Sequence, residues 1–114
     1  MHMKSFGETV KEMRMSKKML LRQVAAKMNV DSSLLSRVEN GMKKLSREQV
    51  VSLANVLGQD QEQLLVLYLG ERVVYELKDE EDLAINAIMV AEKRIRYEAS
   101  SKNKGQGGAI EVES

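Results

Sequence analysis

The chain has 114 residues, of which 43% are hydrophobic, and this is enough for one domain with a modest core. Its net charge of +1 conceals an asymmetry, because residues 1–49 carry eleven Lys or Arg and five Asp or Glu, whereas residues 50–114 carry seven and twelve. The basic half is expected to face a polyanion, the alternative being an ordinary solvated surface. With no Cys and with His2 as the only His, the sequence excludes disulfides, His/Cys metal clusters and histidine acid–base catalysis.

No signal-peptide pattern and no apolar run of about 18 residues is present, so we expect a cytoplasmic protein that does not cross a membrane. The sequence gives no reason to expect a cofactor or a metal.

Two short helices are predicted first. In residues 4–18 apolar side chains recur at steps of three or four, and Ser5 can cap the helix with Glu8 as its capping-box partner. Residues 20–28 form a second helix, and Asn29 after it tolerates the left-handed backbone of a tight turn.

A third helix is predicted over residues 32–40. Asp31 is a suitable N-cap residue for it, and Gly41 is the glycine expected just past its C-terminus. The basic loop, residues 42–45, follows directly. Its lysines are therefore expected to lie near the end of the third helix.

Two more helices complete the front domain. Ser46 caps the fourth helix, with Glu48 or Gln49 available to its first turn, and Gly58 closes it. A fifth helix is predicted over residues 61–69. The apolar residues predicted to face the core of the front domain are Val24, Ala25, Met28, Leu35, Val38, Val50, Leu53, Ala54 and Leu57.

The pattern changes after residue 70. In residues 71–77, Val73 and Tyr75 would lie on one side of an extended chain and Val74 on the other, which predicts a short strand or an extended connector. Residues 79–98 are predicted to form one long helix with an acidic first turn, and residues 100–114 a disordered tail. The chain is thus predicted to be all-α, apart from that one possible strand. It divides into a domain over 4–70, a connector and helix over 71–99, and the tail.

Residues 20–41 have the organisation of a helix-turn-helix, in which two helices cross steeply around a short turn. Ala25 is small, as is needed where the two helices touch, and Val30 and Val38 supply the packing that fixes their angle. The second helix of the pair then projects its outer face away from the core. A helix held in this way fits the major groove of B-DNA.

The predicted DNA contacts lie on that outer face and on the segments beside it. Arg37 can make a bidentate contact to guanine or bind a phosphate. The alternative is that Arg37 is an ordinary solvated cation without a DNA contact. Glu39 is expected to be structural, holding the loop or Arg37 in place, because a carboxylate near phosphate would repel it. The complete set of predicted contacts is Arg22, Ser32, Ser33, Ser36, Arg37, Asn40, Lys43 and Lys44.

A family resemblance is carried by the runs VAAKM (24–28), NVD (29–31) and LSRVENG (35–41), and by Leu57-Gly58 and Leu64-Leu65. Through these runs, residues 5–69 resemble the DNA-binding domain of the lambda repressor/Cro-like (XRE) helix-turn-helix family. The resemblance implies a five-helix DNA-binding domain in a transcription regulator that is usually dimeric. Some members of similar size are controllers of restriction-modification systems or antitoxin-like repressors.

The sequence departs from the family pattern at three places. Leu20 and Leu21 stand where a polar cap followed by Gln is common, so Arg22 is expected to replace the phosphate contact made there. Asn29 stands where Gly is common, which the turn tolerates. Leu45 stands where Pro often follows the basic loop, so this loop is expected to be less stiff.

The long helix predicted over residues 79–98 is the candidate for dimerisation, because it is too apolar to stand exposed on so small a domain. The extended piece before it could pair with its twin across a two-fold axis. The alternative is that the long helix folds back on its own domain. The predicted interface residues are Val73, Tyr75, Leu83, Ile88 and Ile95.

These features predict a sequence-specific DNA-binding transcriptional regulator, either a repressor or a restriction-modification-type controller. It would bind a palindromic operator as a homodimer, so that its partners are double-stranded DNA and a second copy of the chain. The alternative is an antitoxin or adaptor-like interaction module, whose C-terminal helix binds a protein partner and whose DNA binding is weak. An enzyme is not expected, because no Gly-rich phosphate loop, nucleophile elbow, His or Cys supports a catalytic site.

Overall fold

The computed structural model describes residues 2–105, and these residues contain six helices and no strand. The all-α prediction is therefore confirmed, with five short to medium helices followed by a long one. None of these helices is long and apolar enough to cross a lipid bilayer. Their bounds are α1 (Phe6–Ser16), α2 (Leu21–Met28), α3 (Ser32–Glu39), α4 (Arg47–Leu57), α5 (Gln61–Glu76) and α6 (Glu81–Gly105).

The described residues divide into two compact units, 2–76 with the first five helices and 77–105 with the sixth. In the first unit α4 packs against α2 and α5, α2 packs against α3, and α1 packs against α3 and α5. The residues predicted to face the core are buried there, and Val30, which is also predicted to pack inward, is half-buried. The most completely buried large side chains are Leu35, Leu53, Leu57, Leu64, Val10, Val24 and Val50.

Capping boxes start two of the helices where the sequence predicts them. The Ser5 hydroxyl accepts the Glu8 N–H and the Glu8 carboxylate accepts the Ser5 N–H, at 3.1 and 2.8 Å. At the start of α4 the partner of Ser46 is Gln49. Asp31 occupies the N-cap position of α3 as predicted, but its side chain makes no capping hydrogen bond.

Helices α2, α3 and α4 end in the same hydrogen-bonded turn as α1 does at Lys18, and this turn requires a left-handed residue just past the helix. After α3, the Gly41 N–H donates to the Val38 carbonyl and the Met42 N–H donates to the Arg37 carbonyl, at 3.1 and 2.8 Å. Gly41 has φ 78°, the conformation that favours glycine. The corresponding residues after α2 and α4 are Asn29 and Gly58. Helices α2, α3 and α4 therefore end at Asn29, Gly41 and Gly58, where the sequence predicts their ends.

The strand or extended connector predicted over residues 71–77 is wrong, because α5 continues to Glu76. Helical spacing brings Tyr68, Glu71 and Tyr75 to one face of α5, where each finds a partner. The Tyr68 hydroxyl donates to the Leu45 carbonyl at 2.8 Å, and Glu71 accepts the Phe6 N–H at 3.0 Å. Lys44 Nζ lies 3.9 Å from the centroid of the Tyr75 ring. These contacts stabilise a helix in the segment for which the sequence predicts a strand or an extended connector.

The second unit is built on α6, which is longer than the helix predicted over residues 79–98. Its first turn carries Glu81 and Asp82, which suit the positive end of the helix dipole. The tail predicted to be disordered from residue 100 is wrong over 100–105, which belong to α6, because no glycine or proline interrupts the chain before Gly105. The rest of that predicted tail, 106–114, lies outside the described residues.

Gly7 of α1 lies close to the backbone at the end of α3. A Cβ atom added at Gly7 would lie 2.4 Å from the Val38 carbonyl oxygen and 2.7 Å from the Glu39 carbonyl oxygen. Both oxygens belong to the backbone at the end of α3, so they cannot swing away as a flexible side chain can. Residue 7 must therefore be glycine for α1 to pack against α3 at this distance.

We expect Gly7→Ala to lower the free energy of unfolding by about 1–3 kcal/mol, which is the usual effect of forcing a methyl group into a packed contact. The control is Gly70→Ala in α5, where an added Cβ meets nothing within 4 Å. This control should stabilise the protein by up to about 1 kcal/mol, because alanine favours a helix interior more than glycine does. Urea denaturation followed by circular dichroism measures both. Equal effects of the two substitutions would contradict the proposed contact.

Candidate nucleic-acid interface

The interface is built on α2 and α3, which are joined by a turn at Asn29. Asn29 has φ 59° and ψ 44°, the left-handed conformation predicted for it. Ala25 of α2 and Val38 of α3 are buried, and Val30 in the turn is half-buried and packs against the same core. Because this packing covers the inner side of α3, its opposite side is turned to solvent.

The solvent-facing side of α3 holds Ser33, Ser36, Arg37 and Asn40, which we call the recognition face. Steps of three and four residues place these side chains on one side of the helix, opposite buried Leu35 and Val38. Ser33, Arg37 and Asn40 are exposed, and Ser36 is half-buried. The recognition face is thus a short polar surface with a single cation.

The other predicted DNA contacts flank the recognition face in the chain. Ser32 is the first residue of α3, and Arg22 lies in the first turn of α2. Lys43 and Lys44 lie in the basic loop, within four residues of Asn40 along the chain. All four side chains are exposed. The structure therefore leaves every predicted contact residue at least partly accessible, with Ser36 the least so.

The cations at this surface are differently engaged. Within residues 2–105, Arg22, Arg37 and Lys43 form no ion pair with an acidic side chain, and their charges are available to an external anion. Lys44 instead stacks over the Tyr75 ring through a cation–π contact. Sequence reasoning missed this contact because it placed Tyr75 in an extended segment.

The C-terminal end of α3 is held to α1 by a buried ion pair. Arg14 donates from Nε and Nη2 to the two oxygens of the Glu39 carboxylate, at 2.7 and 3.0 Å, and from Nη1 to the Met19 carbonyl at 2.9 Å. The side chains of Arg14 and Glu39 are only 12% and 4% exposed. The Glu39 carboxylate raises the pKa of the Arg14 guanidinium through these hydrogen bonds, so Arg14 stays charged.

Glu39 is structural, as the sequence predicts, but its partner is Arg14 and not the loop or Arg37. The two residues are 25 positions apart, and no local pattern joins them. With its carboxylate committed to Arg14 and shielded from solvent, Glu39 does not repel phosphate at the recognition face. The pair thus sets the position of α3 without placing a free negative charge beside it.

The start of α2 shows how the departures at Leu20 and Leu21 are accommodated. Leu20 is the N-cap residue and has no side-chain oxygen to offer the helix. Gln23 supplies half of a capping box, because its side-chain oxygen accepts the Leu20 N–H at 2.8 Å. Arg22 in the same turn remains exposed, where the sequence predicts that it replaces the missing phosphate contact.

The predicted dimer-interface residues fall in both units. Val73 and Tyr75 lie on α5, and Leu83, Ile88 and Ile95 lie on α6. All five side chains are exposed in the single chain. Their role in an interface stays a prediction. No group of acidic or His side chains within 2–105 is arranged to hold a metal ion.

We expect Glu39→Gln to lower the free energy of unfolding by about 3 kcal/mol, because it leaves the largely buried Arg14 charge without its partner. The control is Glu12→Gln, which removes the acidic partner of Lys4 in a pair whose side chains are 53% and 62% exposed. That substitution should lower the free energy of unfolding by less than about 1 kcal/mol, because solvent screens an exposed pair. Urea denaturation compares the two. A loss as small for Glu39→Gln as for the control would show that the pair does not hold α3.

The geometry agrees with the comparison with known families. The model of the family described as "Helix-turn-helix domain" matches residues 5–67, more than half of the chain. The matched segment runs from the start of α1 into α5 and contains every predicted DNA contact. Neither the curated proteins nor the solved structures gave a significant match. The chain belongs to the helix-turn-helix domain family, as its sequence predicts.

Proposed function

We propose that the protein is a cytoplasmic, sequence-specific transcriptional regulator that binds a palindromic operator as a homodimer. The observation that carries the proposal is the recognition face, a polar surface on α3 that is turned to solvent by the packing of α3 against α1 and α2 and by the Arg14–Glu39 pair. A helix presented in this way can enter the major groove. The resemblance to the XRE family favours a repressor or a restriction-modification-type controller. The proposal is of a binding protein and not of an enzyme.

The residues divide into readers and anchors. Arg37 reads a guanine through two hydrogen bonds to its major-groove edge, and Ser33 and Ser36 contact neighbouring base edges. Arg22, Ser32, Asn40, Lys43 and Lys44 bind phosphate oxygens on either side of the groove and set the register of α3. Lys44 contributes least, because its ammonium group already stacks over Tyr75.

Homodimerisation is supported by the exposed apolar side chains of α6. Leu83, Ile85, Ile88, Met89, Val90, Ile95 and Tyr97 are all exposed in the second unit. Such an accumulation of apolar surface on one helix is typical of an interaction site. Covering it with α6 of a second copy would bring two helix-turn-helix domains to two half-sites.

A second candidate function is supported by the same helix. An antitoxin or adaptor-like protein would use the apolar side chains of α6 to bind a different protein, and its DNA binding would be weak. The two candidates differ in what covers α6 and in whether the recognition face selects a DNA sequence.

Selection of bound duplexes from a random DNA library, at fixed moderate salt, tests the proposal. We expect recovery of an inverted repeat whose half-sites are about 10 base pairs apart, because a two-fold dimer places its α3 helices one DNA turn apart. Recovery of a single half-site would remove the dimer from the proposal. Recovery of no motif would favour the interaction-module function.

Arg37→Ala should lower affinity for the selected site by about 1–3 kcal/mol and leave binding to random DNA less affected, because it removes a base contact. Lys43→Ala should weaken binding to both DNAs alike and reduce the salt slope by about one. The control, Lys93→Ala, removes the same charge from α6 and should change neither quantity. Fluorescence anisotropy titrations at several salt concentrations measure all three. Equal losses on selected and random DNA for Arg37→Ala would contradict its role as a reader.

Ile88→Glu should convert the dimer to monomers, because it buries a carboxylate in an apolar interface. Asn86→Glu is the control, since it adds the same charge to the same helix two residues earlier, on roughly the opposite side. Sedimentation analysis gives the mass of each variant. A dimer that survives Ile88→Glu would place the interface elsewhere.

A further inference from the structure

The first unit contains a cleft that the proposed DNA contacts do not explain. It lies between the start of α1, the basic loop and the last two turns of α5, and it has a volume of about 560 Å³. Sites for small organic ligands generally have volumes of about 300–1,000 Å³. The cleft exists because α5 continues to Glu76 and carries Arg72 and Tyr75 past the loop.

The inner surface of the cleft is apolar and largely aromatic. Phe6 and Tyr68 pack edge to face with ring centroids 5.9 Å apart, and Val38 and Leu45 are buried beside them. The more exposed side chains of Met42 and Tyr75 complete the walls. The Tyr68 hydroxyl is already bonded to the Leu45 carbonyl, so this surface offers a ligand apolar contact and not a hydroxyl hydrogen bond. It suits a flat apolar body.

The charged groups of the cleft are unbalanced. Its lining includes three cations, Lys43, Lys44 and Arg72, and one carboxylate, that of Glu71. One oxygen of that carboxylate accepts the Phe6 N–H at 3.0 Å, and its single negative charge leaves the lining with an excess of two positive charges.

None of the three cations forms an ion pair with an acidic side chain within 2–105. The Arg72 guanidinium lies 6.0 Å from the centroid of the Tyr68 ring, directly beside the apolar surface. A ligand anion held by Arg72 would therefore keep its apolar body against Tyr68.

We propose that this cleft binds a small aromatic carboxylate. The ring system lies against Phe6, Tyr68 and Tyr75, and the carboxylate pairs with the Arg72 guanidinium, which can hold both of its oxygens. Lys44, stacked on Tyr75, adds a second positive charge to the lining of the cleft. A neutral aromatic molecule of the same size lacks the ion pair and binds more weakly.

Isothermal titration of the full chain with 2-naphthoate, in the absence of DNA, tests the proposal. We expect saturable binding of one ligand per chain with a Kd below about 1 mM, and binding about tenfold weaker for 2-naphthylmethanol, which keeps the rings without the charge. Arg72→Gln should weaken naphthoate binding by the same factor. Arg96→Gln, the matched change on α6, should leave it unaltered.

Amide chemical shifts locate the bound ligand. Changes confined to residues 6–7, 41–45 and 68–75 support the site, whereas changes confined to α6 overturn it. Absence of saturable binding, or equal binding by wild type and Arg72→Gln, also overturns it. Because no DNA is present, a negative result leaves the proposed DNA binding untouched, and a positive result does not depend on it.

Discussion

The bidentate ion pair between Arg14 and Glu39 determines where the recognition face lies. Burying two charges is costly, and such a pair contributes little net stability compared with apolar side chains of the same size. Its geometry, however, is demanding, because Nε and Nη2 of the guanidinium must each reach a different oxygen of the carboxylate. The pair therefore does more to fix the position of α3 than to raise the net stability of the fold. It fixes the end of α3 against α1, at the point where the helix gives way to the basic loop.

Helix α5 is the second constraint on the same surface. Leu64 belongs to the core, and the next turns of the helix reach the basic loop through Tyr68 and the start of α1 through Glu71. Helix α5 thus supports both the basic loop, which follows α3, and α1, which holds the end of α3 through the Arg14–Glu39 pair. The recognition face depends on α5 although α5 contributes nothing to that face.

Much of the first unit could be predicted from the sequence because its signals are local. The capping box at Ser5 and Glu8 spans three residues, and the left-handed turn at Asn29 depends on that residue's own backbone preference. The same holds for the exposed positions of the recognition face, which follow from helical periodicity and the buried positions between them.

What the sequence did not reveal depends on distant residues. Arg14 and Glu39 are separated by 25 positions, and Phe6 and Glu71 by 65, so neither contact leaves a local pattern. The helical state of residues 71–76 was missed for the same reason. Val73, Val74 and Tyr75 are residue types that favour a strand, and the contacts of α5 with Phe6 and Lys44 stabilise the helix instead.

The hydrogen bond from Phe6 to Glu71 has a consequence for biosynthesis. It joins the beginning of the first unit to its last turns, so the N-terminus of α1 emerges from the ribosome 65 residues before its acceptor does. Helices α1 to α4 can form as they appear, since their own hydrogen bonds are local. The closure that brings α1 onto α5 must wait until Glu71 has been synthesised. Folding of this unit is therefore completed late, and a nascent chain that stalls before residue 71 retains an N-terminal helix with an unfilled docking site.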